Sequence, residues 1–475
     1  MQAREIYQSM MKSYGKRAMN NYFIIACYLL LLSACAPTYQ TYKAAPLDTQ
    51  EATITYHTRT IEASALKNWL QKQGFATSTW PKSTWDLESL VAVGEFYSLD
   101  LQIESAKVSV AEAAEITAGQ KLNPEINLSS EHHSGHDGGI SPWTLGALFS
   151  WVYQDPKKHQ TRVAYAQAVT EMTKLNVAQV KWQIRDRIVD SYLNTLVAIH
   201  QRQFIADEIA LLESALTILE RSLSLGQISE FEVSSTKLAL QQANLDLNNI
   251  EQAQTEARTQ LALAVGLPAD ALLTIHLDEH SFSQLPDINV ANLSLDYLQA
   301  HAVKERPDLK KALAEYLVAE ADLHKEIAKQ SPDFTFSPGF IFDQNDNIWA
   351  LASNFILPVN DVYSGPIAEA KARRALKGKE ILALQTSLLQ HVHQAHIMYK
   401  SALKSLAYSD TLLDTAAEQQ KILQRQYKLG FTDSLKLIWQ QRERLHLQRA
   451  RYLLEVSAWR EFARLEDATM TRLNK

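Results

Sequence analysis

The run Asp333-Phe334-Thr335-Phe336-Ser337-Pro338-Gly339-Phe340-Ile341-Phe342 puts four Phe on even positions and small or polar residues on most odd ones. Successive side chains of a strand point to opposite faces, so one face of this segment is aromatic and the other small or polar. Trp143, Leu145, Ala147, Phe149, Trp151 and Tyr153 share a face in the same way, opposite Thr144, Gly146 and Ser150. Strands of about ten residues with this alternation follow the pattern of a transmembrane β-barrel. Residues 124–131, 143–153, 333–342 and 348–357 make four such strands. A soluble sandwich with one buried face would give the same alternation in any single strand. Here, however, each pair stands alone between very long helical stretches, with no second sheet to cover the aromatics, and lipid is the simplest apolar partner. Four strands cannot close alone, since the smallest such barrels use about eight. The barrel is therefore expected to be shared between copies.

The flanking stretches are helical and unusually long. From about Lys157 to Leu223 the chain runs 67 residues, about 100 Å at 1.5 Å per residue. Val177, Val180, Ile184, Ile188, Tyr192, Leu196 and Ile199 recur on it at three and four residues, the seam of a helix packed lengthwise on others. Shorter helices are expected from about Gly94 to Lys121 and Ser229 to Ala264, and in the second half from Pro307 to Gln330 and Thr432 to about Thr469, beside a long helix from Ser364 to Tyr427. Two short helices stacked end to end match one long one, as in a tall tube of helices.

The pattern occurs twice. Val163-Ala164-Tyr165-Ala166-Gln167-Ala168 matches Ile367-Ala368-Glu369-Ala370-Lys371-Ala372 at an offset of 204, and Leu225-Gly226 matches Leu429-Gly430 at the same 204. Equal offsets at two anchors mean no net insertion between them, as a helix of fixed length requires. Gly is scarce, 14 of 475 residues, or about 3 % against the roughly 7 % usual in proteins. The counts of 47 Lys+Arg and 53 Asp+Glu give −6, and with no sustained basic run they argue against a nucleic-acid partner.

The first 34 residues read as a removable leader: Lys12, Lys16 and Arg17, then the apolar Phe23 to Leu32, then Leu32-Ser33-Ala34-Cys35. That ending resembles a bacterial lipobox, which implies an acylated Cys35 as the first residue of the mature chain. Cleavage removes four cations and one acid, which takes the formal charge from −6 to −9. Ala36 follows Cys35 where Asp favours retention at the inner membrane in Gram-negative lipoproteins, so outer-membrane sorting is expected.

Lipobox, twofold repeat, paired strands and long helices together resemble the TolC-type outer-membrane efflux family, in particular its CusC-like and CzcC-like lipoprotein branch. The similarity runs from about Asp86 to Thr469, and its sharpest motif is the helix turn Arg221-Ser222-Leu223-Ser224-Leu225-Gly226-Gln227-Ile228-Ser229-Glu230-Phe231-Glu232-Val233, echoed by Arg425 to Leu437. Each Gly supplies a left-handed residue that ends a helix, and Ser229 and Thr432 are expected to cap the next. The resemblance implies a homotrimer with a long α-helical barrel, four transmembrane strands per protomer in a shared 12-stranded barrel, and a belt near residues 36–85, 266–305 and the C-terminus. On this reading residues 1–34 are the signal peptide, 35–85 a lipid-anchored belt segment, and 86–283 and 284–475 the two repeats.

The resemblance also implies a duct without chemistry, reaching from the outer membrane into the periplasm. It would pass metal ions or drugs from an inner-membrane pump of RND type through a periplasmic adaptor to the exterior. Leu225, Gly226, Leu429 and Gly430 would form the periplasmic tip and adaptor contact. In the family, carboxylates are expected six and nine residues after the second turn; here Lys436 and Trp439 stand there, while Glu232 keeps an acid at the matching first-half position. Glu232 and Lys436 are thus candidates for a charge link that closes the entrance, with Trp439 beside them. His132, His133, His136 and Asp137 fall in the outer loop, and His391, His393 and His396 on a helix; of these only His393 and His396 share a face, so no metal site and no cofactor is expected. The sequence has no Gly-rich phosphate loop and no nucleophile elbow, which argues against an enzyme. A periplasmic adaptor lipoprotein, which carries one hairpin and Gly-rich β domains, fits less well; a type I secretion channel fits the same duct.

Overall fold

The computed structural model describes residues 41–473 apart from 77–79, 135–138, 279–281, 283–284, 289–292, 358 and 361. The chain divides into two units, Met1–Thr55 and Tyr56–Lys475. In the first, the Asp48 carboxylate accepts from the amides of Gln50 at 2.8 Å and Glu51 at 3.2 Å and so starts helix α1 (Thr49–His57).

The second unit opens with α2 (Ser64–Lys72), β1 (Thr84–Trp85), α3 (Leu87–Tyr97) and α4 (Leu99–Gly119). It continues through β2 (Glu125–His132), β3 (Trp143–Tyr153), the 69-residue α5 (Pro156–Ser224), α6 (Glu230–Val265) and β4 (His276–Leu277). Then come α7 (Leu295–Glu305), α8 (Pro307–Ala328), β5 (Phe334–Asp343), β6 (Asp346–Phe355), the 65-residue α9 (Ser364–Lys428) and α10 (Ser434–Thr469). Asp155 starts α5 by accepting from the Lys157 amide at 2.9 Å, with Pro156 in the first turn where its missing N–H costs nothing.

The helix expected from Gly94 to Lys121 is broken at Ser98, which has φ −64° and ψ 117°. Its hydroxyl accepts from the Leu101 amide at 3.1 Å and so begins α4. The break lets α3 lie tightly on α5: a Cβ on Gly94 would overlap Ile188 Cδ1 and sit 3.2 Å from Ile184 Cγ2. At the other end of α3, the partly buried Asp86 caps the helix, accepting from the Ser89 amide and hydroxyl, each at 2.8 Å. Burial pushes this carboxyl up, but the two Ser89 bonds and the Lys82 ammonium outweigh it and hold the group below its usual value.

The short helices do stack end to end. The Arg59 guanidinium donates to Gly266 O at 3.0 Å, where α6 ends, and to Tyr97 O at 3.4 Å, just before α4 begins. The far end of α4 meets the start of α5, where Arg162 Nε donates to Ala118 O at 2.8 Å. In the second half Arg306, just ahead of α8, donates to Asp467 O at 3.1 Å near the end of α10. From there α8 runs beside α9 along three ion pairs, Glu315 to Lys377 at 2.8 Å, Glu320 to Arg374 at 3.0 Å and Asp322 to Arg373 at 2.6 Å. On the sheet side the helices therefore lie in the order α4, α5, α8, α9, and on the side of the helix turns in the order α6, α5, α10, α9.

The core lies midway, where α3, α5, α6, α7, α9 and α10 meet the loops between repeats. The largest of its fully buried side chains are Trp85, Tyr192 and Tyr399. Burying such a group contributes about 1.5–3 kcal/mol. The Tyr192 hydroxyl donates to Asp278 O at 2.6 Å and that of Tyr399 to Pro286 O at 2.5 Å, so neither polar end is left unsatisfied.

The sheet is antiparallel in the order β2-β3-β5-β6. Register aligns the aromatic faces: Tyr153 faces Phe334, which faces Phe355, while Phe340 faces Trp349 with ring centroids 5.3 Å apart. On the opposite face hydroxyls pair, Ser150 with Ser337 at 2.8 Å, and Thr144 donates to Asp343 at 2.6 Å. The last hairpin is tighter than expected: β6 starts at Asp346 and ends at Phe355 instead of spanning 348–357. Gln344 and Asn345 alone make the turn, with φ of 50° and 92°. Asn tolerates this left-handed region and Gln seldom adopts it, so the sequence carries only half of the usual two-residue hairpin signal.

Candidate functional site

Both helix turns are built alike. After α5, the Gly226 amide donates to Leu223 O and the Gln227 amide to Ser222 O, both at 2.9 Å, with Gly226 at φ 69°. After α9, Gly430 donates to Tyr427 O at 3.0 Å and Phe431 to Gln426 O at 2.9 Å, with Gly430 at φ 79°. This 6→1 and 5→2 pairing satisfies the last carbonyls of each helix and requires a residue that adopts positive φ. The expected caps differ in detail. Ser229 precedes α6 but makes no side-chain cap bond, and α10 is capped by Asp433 instead of Thr432. The Asp433 carboxylate accepts from the Lys436 amide at 2.7 Å, and its charge favours the positive end of the helix as well.

The turns expose apolar side chains: Leu225 at 64 %, Phe231 at 78 %, Leu429 at 70 % and Phe431 at 80 %. The two Phe were not singled out from sequence, although an aromatic beside each Gly turn was the available signal. Glu232 and Lys436 both occupy the third position of their helices, α6 and α10, and both are exposed. Within one chain neither carries an ion pair among the described residues, because the two helix starts belong to separate hairpins. Trp439 is half-buried, and the Arg442 guanidinium lies 5.9 Å from its ring centroid.

Arg442 leads to the polar link between the two hairpins that lies nearest the turns among the described residues. Its Nε and Nη2 donate to one oxygen of Glu208 on α5, at 2.9 and 2.7 Å, and His446 Nε2 lies 3.3 Å from the same oxygen. Glu208 is largely buried, and nearer the turns the described residues provide no further ion pair between α5 and α10. Links inside each hairpin are separate, such as Arg202 to Glu251 at 3.2 Å and Arg451 to Asp410 at 2.5 Å.

At the other end of the chain the polar face of the sheet carries Glu131, Thr144, Asp343 and Asp346 in register across all four strands. His133 Nε2 lies 3.2 Å from Thr144 Oγ1, and the His132 ring stacks edge-on against Trp143. His136, Asp137 and Cys35 lie outside the described residues. On α9, burial pushes His396 below the usual imidazole value against a hydrogen bond involving the Leu293 backbone. Among the described residues no group of three or more His, Cys, Asp or Glu is placed to hold a metal ion. No described helix is long and apolar enough to cross a membrane.

Residues 97–267 match the model of the family described as outer membrane efflux protein. The chain is 26 % identical over 396 residues to the pyoverdine export outer membrane protein OpmQ of Pseudomonas aeruginosa, with 77 % of each chain covered. Among solved structures it resembles the outer-membrane channel OprN, with a TM-score of 0.65 and 17 % identity over 93 % of this chain and 99 % of that one. It also resembles CusC, with a TM-score of 0.63 and 15 % identity over 92 % and 99 %. The matched segment spans α4, the first strand pair, α5 and α6, and over nearly the whole chain the fold is that of these outer-membrane channels.

Proposed function

We propose that three copies of this chain form an efflux duct, with twelve strands in the outer membrane and the helices reaching into the periplasm. The observation that carries this reading is the common lateral order of three layers. β2, α4 and α6 lie at one edge, and β6 and α9 at the other. The helical layers expose apolar side chains at both edges, with Val110 and Leu238 on one and Leu382 and Leu412 on the other. An open strand edge also leaves unpaired backbone groups that a membrane cannot satisfy. Joining the last edge of one copy to the first edge of the next resolves both problems, and a ring of such contacts closes without a free edge.

In this duct the turns at Leu225-Gly226 and Leu429-Gly430, with Phe231 and Phe431, face a periplasmic adaptor and through it an inner-membrane pump, of RND type by resemblance. Glu232 of one copy and Lys436 of the next then stand close enough in height to link across the entrance, with Trp439 held by Arg442 behind them. Cys35 adds a lipid anchor. The pyoverdine in that relative's name makes pyoverdine the first cargo to test, beside metal ions and drugs. Conductance across a planar bilayer tests the duct. Discrete steps are expected, with greater open probability for Glu232→Ala or Lys436→Ala; an unchanged open probability removes the entrance link, and no conductance at all removes the duct.

A further inference from the structure

Where β3 leaves the sheet, a cleft of about 380 Å³ opens between its last residues, the strand-ward linker after α4 and the first turn of α5. Its walls include Leu122, Trp151 and Tyr153, and its rim includes Lys121 and His159. That volume lies in the usual range for small-molecule sites, about 300–1,000 Å³. Trp151 and Tyr153 are the last members of the aromatic face of β3 and remain half exposed. On the duct reading, on which this inference rests, that face touches lipid, and the cleft lies at the periplasmic edge of the membrane.

The polar groups around it are unevenly satisfied. Lys158 pairs with Asp333 at 2.9 Å, Arg162 donates to the carbonyls of Ala118 and Gln120, and the His159 ring is taken up by Gly119 O at 3.0 Å. Lys121 has no counter-ion among the described residues, and neither the Trp151 indole N–H nor the Tyr153 hydroxyl has a hydrogen-bond partner there. Three donors, one of them cationic, thus border an apolar cleft that contributes no carboxylate to its lining. An occupant must offer anionic acceptor oxygens next to hydrocarbon.

We propose that this cleft holds the phosphate head group and upper acyl chain of an inner-leaflet phospholipid, with Lys121 as the counter-ion of the phosphate. The indole N–H and the tyrosine hydroxyl donate to phosphate or ester oxygens, while the rings and Leu122 cover the first methylenes. Aromatic and basic side chains at membrane edges commonly act this way.

Native mass spectrometry of the full-length protein, delipidated in detergent and given palmitoyl-oleoyl-phosphatidylethanolamine, tests the site. One lipid per copy is expected, with a tenfold or greater loss of affinity in Lys121→Glu and a smaller loss in Trp151→Phe, which keeps a ring but removes the N–H. Diacylglycerol, which lacks phosphate, is expected to bind no better than the phospholipid binds Lys121→Glu, and inorganic phosphate alone is expected not to displace the lipid. Equal phospholipid binding by the wild type and Lys121→Glu overturns the proposal, as does equal binding of diacylglycerol. So does a photocross-linker at Leu122 that captures only a neighbouring copy. The same spectra report oligomer mass: an intact oligomer without lipid refutes this site alone, whereas a single-copy species refutes the duct and the site together.

Discussion

Asp86 fixes where α3 begins, and its carboxylate serves the Ser89 amide, the Ser89 hydroxyl and Lys82 at once. Asp86→Ala is expected to destabilise the protein by about 1 kcal/mol at neutral pH. Because the folded carboxyl lies below the unfolded value of 3.8, its contribution is complete above that pH and is lost as the pH falls through the lower folded value. Unfolding of wild type and variant in detergent should therefore differ at pH 7 and converge in strong acid. Glycines separate by conformation in a similar test. Gly430 has φ 79°, whereas Gly365 has an ordinary negative φ and open space where an alanine methyl would sit. Gly430→Ala should cost about 1–2 kcal/mol, while Gly365→Ala should be neutral or stabilising by about 0.4–1 kcal/mol; thermal unfolding compares them directly. The role of Gly226 and Gly430 was legible because only a helix stop gives Leu-Gly at one offset in two long helical runs. That Asp433, and not Thr432, caps α10 was not legible, since both are good caps and one residue decides between them.

At the scale of elements, each hairpin is tied internally, and Glu208 with Arg442 ties one to the other. Glu208→Ala leaves the partly buried Arg442 without its acceptor and should cost about 1–3 kcal/mol. Limited proteolysis should then cut faster near the turns than in wild type, and Glu232→Ala, which removes no bond within the chain, should leave the rate unchanged. An unaltered rate in Glu208→Ala would show that this link does not hold the hairpins together near the turns. Helix lengths were readable because apolar spacing and the absence of Gly and Pro extend over whole elements. The break at Ser98 was not, because a single hydroxyl competes with a continuing helix, and its advantage comes from the tight seat of Gly94 on α5. The pairing of Glu208 with a residue 234 positions away was equally invisible, since neither belongs to a periodic pattern.

For the whole molecule, one chain presents a sheet with two open edges and two helical layers that expose apolar side chains such as Val110, Leu238, Leu382 and Leu412. The sequence implied this incompleteness through the count of four strands, and the structure gives its direction, with first-half elements at one edge and second-half elements at the other. Gly226, Gly266 and Gly430 mark the stops of helices tens of residues long, and on the proposed reading the layers those helices form are completed by other copies. The central claim is this completion, and the most direct measurement is the mass of the detergent-extracted protein by analytical ultracentrifugation with the detergent contribution matched out. Three copies per particle, released from membranes only by detergent, is the predicted result; a single copy, or a protein that leaves the membrane fraction without detergent, would contradict the account.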